Sequence, residues 1–282
     1  DDQNNIYITG KDADSGLLAA QYTVKVSNTG SLVWGSSFGN PTMESQGNAI
    51  AVFDSNAVYT VGTAEFAGSA PTTRIIKYDA NGDTTWVRTF KYSTYAGTWP
   101  NSQDYGKKIQ LDDAGNVYVL SQALFPDPAT ILKYDPSGSL LWVSEIDPAN
   151  SPNIIDMIVE DSSIYVGGFF MLSSFPRMYG SRLDLDGNLI YSNWFNATPA
   201  QAFSMCVNRG GLIVSGKTYS GSDYLTVRFS RTGGIEWNDI FSTANSGESI
   251  PWAMTTDDDG GIYATGKGYH TQLGFFHSFK YQ

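Results

Sequence analysis

The chain has 282 residues, 41% of them hydrophobic and 14% aromatic, with 17 Lys and Arg set against 28 Asp and Glu for a formal charge of −11. That sign repels phosphate backbones and no basic cluster reverses it locally, so nucleic acid and an anionic membrane surface are both excluded as expected partners. The one cysteine, Cys206, leaves no intrachain disulfide, and no run approaches the roughly 20 apolar residues that span a bilayer.

The first element is the β-rich run Ile6-Tyr-Ile-Thr-Gly10. It recurs as Val58–Gly62, Val117–Ser121, Ile164–Gly168, Leu212–Gly216 and Ile262–Gly266, with anchors Tyr7, Tyr59, Tyr118, Tyr165, Ile213 and Tyr263. The anchors step by 52, 59, 47, 48 and 50 residues, the period of a repeat architecture. Three residues past each anchor stands Gly, or once Ser121; a small residue there implies close approach of a neighbouring backbone. The second element carries one cation per repeat: Lys25, Lys77, Lys133, Arg182, Arg228 and Lys280. A catalytic site is not normally repeated six times, so these cations read as structural.

A turn follows, ending at Gly30, Gly82, Gly138, Gly187 or Gly233, and its Asp, Asn, Ser and Gly supply turn initiation and positive φ. The next run places Trp34, Trp86, Trp142, Tyr191 or Trp237 four residues past that glycine. A further element precedes the next anchor: Ala49–Phe53, Ile109–Leu111, Met157–Val159, Met205–Val207 and Trp252–Met254. It runs into a second polar turn such as Asp112–Asn116 or Asp257–Gly261.

The unit is therefore four short strands in a meander, and no stretch shows a sustained helical period. The expected fold is all-β, a six-bladed β-propeller of four-stranded antiparallel meander blades with incomplete first and last blades. Read as one domain over 1–282, its units are 1–46, 47–105, 106–152, 153–200, 201–248 and 249–282. In this frame the chain starts at the second strand of its first blade and stops at the third strand of its last. A neighbouring subunit or segment is then expected to complete the terminal blades.

The string Tyr22-Thr-Val-Lys-Val-Ser-Asn-Thr-Gly-Ser-Leu-Val-Trp34, followed by Ala49–Asp54 and Val58–Gly62, resembles the SBBP-type β-propeller repeat of bacterial and archaeal surface proteins. NHL-type propellers are nearer cousins than quinoprotein propellers, whose turn pattern Asp135–Trp142 misses because its glycine comes one residue early. The resemblance implies a secreted or envelope-associated propeller and brings no enzymatic motif with it. Scarce cysteine and abundant Gly, Ser, Thr, Asn and Tyr agree with that location.

In a meander propeller the inter-blade loops and the loops between second and third strands share one face, where ligands bind. The longest such loop here is 91–106, with Tyr92, Tyr95, Trp99 and Tyr105; the loop 169–179 adds Phe170, Phe175 and Arg177, and Tyr269 sits with His270 in the last repeat. Clustered aromatics at loops suit a protein or glycan ligand, although padding of the loop face explains any single one more simply. Glu44, Asp104 and Glu248 recur just before the innermost strands. If they ring the channel mouth they offer oxygens for Ca²⁺; solvated loop carboxylates are the plainer reading. No other cofactor is expected. The leading expectation is a non-catalytic extracellular binding or structural module, with a metal-assisted lyase or hydrolase and a carbohydrate-binding propeller as alternatives. Cys206, inside the apolar run 203–207, reads as a buried inert thiol.

Overall fold

The computed structural model describes residues 1–12, 19–39, 42–97, 103–124, 126–160, 162–219, 223–242, 249–270 and 273–281, with side chains described up to 268. The chain forms two compact units, Asp1–Pro148 and Ala149–Gln282, and each holds three antiparallel sheets.

In the first unit β1 (Ile6–Asp12), β2 (Ala20–Val26) and β3 (Leu32–Phe38) make a three-stranded sheet. The second sheet is β4 (Met43–Asp54), β5 (Ala57–Phe66), β6 (Thr72–Tyr78) and β7 (Thr84–Phe90). A single helical turn, α1 (Tyr92–Ala96), leads to the third sheet: β8 (Asp104–Leu111), β9 (Val117–Ala123), β10 (Ala129–Tyr134) and β11 (Leu140–Ile146). In the second unit the fourth sheet is β12 (Asn153–Glu160), β13 (Ser163–Leu172), β14 (Phe175–Asp184) and β15 (Leu189–Trp194). The fifth is β16 (Ala200–Asn208), β17 (Gly211–Thr218), β18 (Tyr224–Phe229) and β19 (Ile235–Phe241). The sixth has three strands, β20 (Ile250–Thr256), β21 (Ile262–His270) and β22 (Leu273–Tyr281). Strand order follows chain order in every sheet, so each is a meander. The two three-stranded sheets are the first and last, as the repeat frame implies.

The repeated residues meet in register. Tyr7 lies opposite Lys25 and Lys25 opposite Trp34; Tyr59, Lys77 and Trp86 line up in the same way, as do Tyr118, Lys133 and Trp142. Each ammonium rests over its tyrosine ring, 5.1 Å away at Lys25, 5.2 Å at Lys77 and 5.0 Å at Lys133. Arg182 lies over Tyr165 at 5.4 Å in the second unit. A cation held over an electron-rich ring keeps its charge compensated while its stem packs, which gives the recurring Lys/Arg a structural role in these four sheets.

The glycine turns interlock neighbouring sheets. Gly82 and Gly138 have φ of 83° and 84°, conformations that favour glycine. In the first of these turns Gly82 N–H donates to the Asp79 carbonyl, and the Asp79 carboxylate accepts from the N–H groups of Asn81 and Asp83. The glycine closes a bulged hairpin, seen as a register shift at Lys77/Tyr78. Onto this turn the preceding sheet lays Trp34, whose Nε1–H donates to the Ala80 carbonyl at 3.1 Å. Trp86 does the same to Pro136 at 3.2 Å, over Gly138. In the second unit Tyr191 covers Gly233. The spaces between sheets are filled by the inward residues: Tyr59, Val61, Ile75, Trp86, Ile109 and Val119 share one cluster, while Tyr165, Met178, Leu212, Val214 and Phe229 share another.

Three sequence expectations need correction. Residues 169–179 are not a loop: β13 and β14 extend to Leu172 and Phe175, joined by Ser173-Ser174 with φ of 49° and 70°. Positive φ at both central residues is the tight-hairpin pattern, here without the glycine that would have announced it. Tyr269 likewise lies in a strand, paired with Gly274. The first strands of the second to sixth sheets also begin several residues earlier than their apolar cores suggest. Each contains a bulge, between Gly47/Ala49, Gly106/Lys108, Ile154/Asp156, Ala202/Ser204 and Pro251/Ala253, which breaks the period-two alternation that marks a strand.

Candidate functional site

In the first unit, candidate side chains gather where β4 and β8 begin and where β5 ends. A cleft of about 110 Å³ opens there, lined by Glu44, Ser45 and Gln46 of β4, Thr63 and Glu65 of β5, Pro71, and Tyr105 of β8. Glu44 and Glu65 stand directly opposite each other in the ladder, an arrangement in which like charges repel. Lys11 of β1 answers one of them by pairing with Glu44. Both partners of that pair are about half exposed, so it contributes at most about 1 kcal/mol. Asp104 is fully buried beside the cleft and its N–H donates to the Pro71 carbonyl at 3.0 Å. The Tyr105 hydroxyl donates to Gln103 Oε1 at 2.7 Å. The cleft is thus rich in acceptors, yet far smaller than the roughly 300 Å³ at which small-molecule pockets begin. It suits a few waters or one cationic group.

Of the anticipated cation ligands, Glu44 lines this cleft, Asp104 adjoins it, and Glu248 lies outside the described residues. Among the described residues no three His, Cys, Asp or Glu side chains are grouped so as to hold a metal ion.

The anticipated aromatic residues separate by burial. Tyr92 is buried, and its hydroxyl donates to Glu145 Oε1 at 3.0 Å. Desolvation, with the Glu145 charge behind it, pushes the phenol up to about 12. Tyr95 is 54% exposed, with its ring 5.9 Å from Phe90. Trp99 lies outside the described residues, and only the backbone of Tyr269 is described. Phe170 is buried and packs edge-on against Tyr179 and Trp194. Arg177 is held by its Nε–H to Asn196 Oδ1 at 2.9 Å.

In the exposed apolar surface of the second unit, sequence reasoning finds Phe175 but misses Tyr219, Met171, Leu172 and Trp194. Phe175, at the tip of the β13–β14 hairpin, meets Tyr219 beyond β17 with centroids 5.4 Å apart at 87°. They are 44% and 59% exposed, and Met171, Leu172 and Trp194 are exposed as well. One signal could have found part of it. The position six residues past the anchor is Glu65, Leu124, Met171 and Tyr219 in the second to fifth repeats, and all four are exposed. Cys206 is buried, and desolvation raises its thiol to about 12, which suppresses the reactive thiolate.

No protein-family model and no curated protein matches the chain. Solved structures do. A protein provisionally assigned as a 6-phosphogluconolactonase from Bacteroides uniformis is 13% identical with a TM-score of 0.51, over 96% of this chain and 80% of that one. A prolyl endopeptidase is 12% identical with a TM-score of 0.52, over 96% of this chain; the match spans 39% of the endopeptidase. A provisionally assigned glucose dehydrogenase from Thermus thermophilus is 14% identical over 93% of both chains, with a TM-score of 0.44. At these identities the likeness is one of fold: an all-β, propeller-like architecture of antiparallel sheets.

Proposed function

We propose that the chain is a six-bladed β-propeller of the SBBP-like kind, secreted or held at the cell envelope, serving as a non-catalytic module that binds a protein ligand through its loop face. The observation that carries this reading is the exposed surface of Met171, Leu172, Phe175, Trp194 and Tyr219 in the second unit. Large rings and Met left in water beside a tethered Arg177 match the composition of protein interface cores. Six repeats in sequence and six meander sheets support the blade count. The names of the structural neighbours are enzyme names, but fold alone transfers no activity.

The test uses peptide display. A random peptide library is panned against the intact chain and against the Phe175→Ser/Tyr219→Ser double variant, and a glycan array is run on both. Peptides enriched on the wild type and lost on the variant are expected. Enrichment indifferent to the double substitution, or glycan binding in its place, overturns the reading. A second reading, metal-assisted chemistry at the first unit's cleft, draws on the opposed Glu44 and Glu65. It predicts that Ca²⁺ raises the melting temperature and that Glu44→Gln/Glu65→Gln removes the increase.

A further inference from the structure

Two arginines of the second unit break the repeat at the turns. In the glycine turns Arg231 stands where the other sheets have Asn28, Ala80, Pro136 and Leu185. In the hairpin between β16 and β17, Arg209 follows the last ladder pair, Asn208 with Gly211, as Ser55 follows Asp54 with Ala57. Its φ is 49°, a strained conformation for a residue with a Cβ.

Backbone carbonyls hold both side chains in place. Arg231 Nε–H donates to the Arg209 carbonyl at 3.0 Å, and Arg209 Nη2–H donates to the Asp259 carbonyl at 2.7 Å. Gly210 and Gly260 make the room, since a Cβ there would lie 2.6 Å from Arg231 Nε and 2.8 Å from Arg209 Nη2. Arg182 completes the row: its Nη1–H donates to the Arg231 carbonyl at 3.0 Å, and its Nε–H and Nη2–H donate to Ser163 Oγ. Among the described residues none of these three guanidiniums has a carboxylate partner. Arg228 differs: it holds the same hairpin through Asn208 and is neutralised by Glu236 at 2.6 Å. Arg209 and Arg231 are exposed, and each spends a single N–H of its fork on the protein.

A second observation lies beside Arg182. Tyr191 is 8% exposed and its hydroxyl has no hydrogen-bond partner. Its counterpart Trp86 gives an N–H to the Pro136 carbonyl, but here Arg182 takes the equivalent carbonyl of Arg231. The hydroxyl is near enough to Arg182 for that charge to act on it. An orphaned donor next to unpaired guanidiniums calls for an acceptor with several lone pairs.

We propose that Arg182, Arg209 and Arg231 form a binding site for a tetrahedral oxyanion, a phosphate or sulfate group. Planar guanidinium forks match such oxygens two at a time. The charge of −11 repels a polyanionic strand. A lone dianion in contact with the site feels chiefly the charges within about 8 Å at physiological salt. The arginines come from separate elements, so they form no basic run in the sequence. The Arg209 hairpin and Tyr219 flank opposite ends of β17, which makes this site independent of the exposed apolar surface.

The test titrates inorganic phosphate, inorganic sulfate and phosphoserine into the full chain at low salt and follows the arginine Nε–H signals by NMR. Saturable shifts at Arg182, Arg209 and Arg231 are expected, with Arg74 and Arg88 of the first unit unmoved. Tighter binding of phosphoserine than of phosphate identifies an ester as the ligand, and equal binding the free ion. Arg209→Gln/Arg231→Gln should weaken phosphate at least tenfold. Arg88→Gln removes a guanidinium that bonds a turn carbonyl in the same way and should leave the affinity unchanged. Because the shifts are read on the wild type, the outcome does not depend on the stability of the variants. Shifts spread over all arginines overturn the proposal, as does an affinity indifferent to the Arg209 and Arg231 substitutions. No saturation at millimolar phosphate or sulfate overturns it too.

Discussion

The two ends of each sheet follow different rules. At the tight-turn ends the same contacts recur: an indole on the next turn at Trp34 and Trp86, a cation over a tyrosine at Lys25, Lys77 and Lys133, and an aspartate ordering its own turn at Asp79 and Asp135. At the opposite ends each sheet improvises: Lys11 pairs with Glu44, Tyr92 donates to Glu145, Arg177 to Asn196, and Phe175 meets Tyr219. Repetition marks what a sheet needs in order to hold its turn and pack on its neighbour within a unit. Departure from repetition marks what the protein can spend on recognition, because a substitution there disturbs no shared interlock.

The largest effects should fall on the turn ends. Trp86 is buried, packs at a tilt against Tyr59 with ring centroids 5.8 Å apart, and caps the Gly138 turn. Trp86→Ala should cost about 3–5 kcal/mol, as truncation of a buried aromatic does, read as a lower midpoint in urea unfolding. Tyr95→Ala, an aromatic-to-Ala change at an exposed loop-end position, should cost under about 0.5 kcal/mol. Equal costs would break the comparison. Next comes Gly138→Ala. Its φ of 84° and a Cβ lying 3.0 Å from both the Trp86 ring and Arg88 predict about 1–3 kcal/mol of strain.

Acid should also reach the turn ends first. Burial raises the Asp112 carboxyl, but hydrogen bonds from Asn116 and Tyr118 outweigh it and hold the group below its usual 3.8. Asp135 and Asp184 are depressed by the hydrogen bonds of their own turns. A carboxyl depressed by folding contributes stability that is present above its unfolded value and is lost as pH falls through the folded one. Unfolding midpoints measured from pH 6 down should therefore fall once pH drops below about 4, and Asp112→Asn should flatten part of that slope.

How much of this was legible follows the same division. The anchors, the glycine turns and the indoles could be read as a repeat because identical packing needs select identical residues. Lys25, Lys77, Lys133 and Arg182 could be read as structural for that reason, and the cation–ring pairs explain them. The first strands of the later sheets read short in the sequence because their bulges break the alternation. The hairpin at Ser173-Ser174 reads as a loop in the sequence because its positive φ values fall on serine rather than glycine. Tyr92 and Phe170 looked like ligand contacts because sequence cannot tell an aromatic that pads a loop from one that faces water. Glu65 and Tyr219 went unnoticed because they matter only through what lies across the ladder or across the sheet end, Glu44 and Phe175.

The smallest expected effect on stability is the sharpest test of the division. Phe175 and Tyr219 touch each other and remain largely in water, so removing both rings exposes little new surface and leaves no cavity. Phe175→Ser/Tyr219→Ser should move the unfolding free energy by no more than about 1 kcal/mol, twice the usual limit for a single surface substitution. If their exposure serves recognition, the same variant loses the peptide binding selected on the wild type. If the pair instead staples its two sheets together, stability falls by 2 kcal/mol or more, as at buried sites, and the loop end then obeys the structural rule of the turn end. A urea titration and a binding isotherm on one preparation separate these outcomes, because the first changes only if the rings hold the fold and the second changes alone only if they hold a ligand.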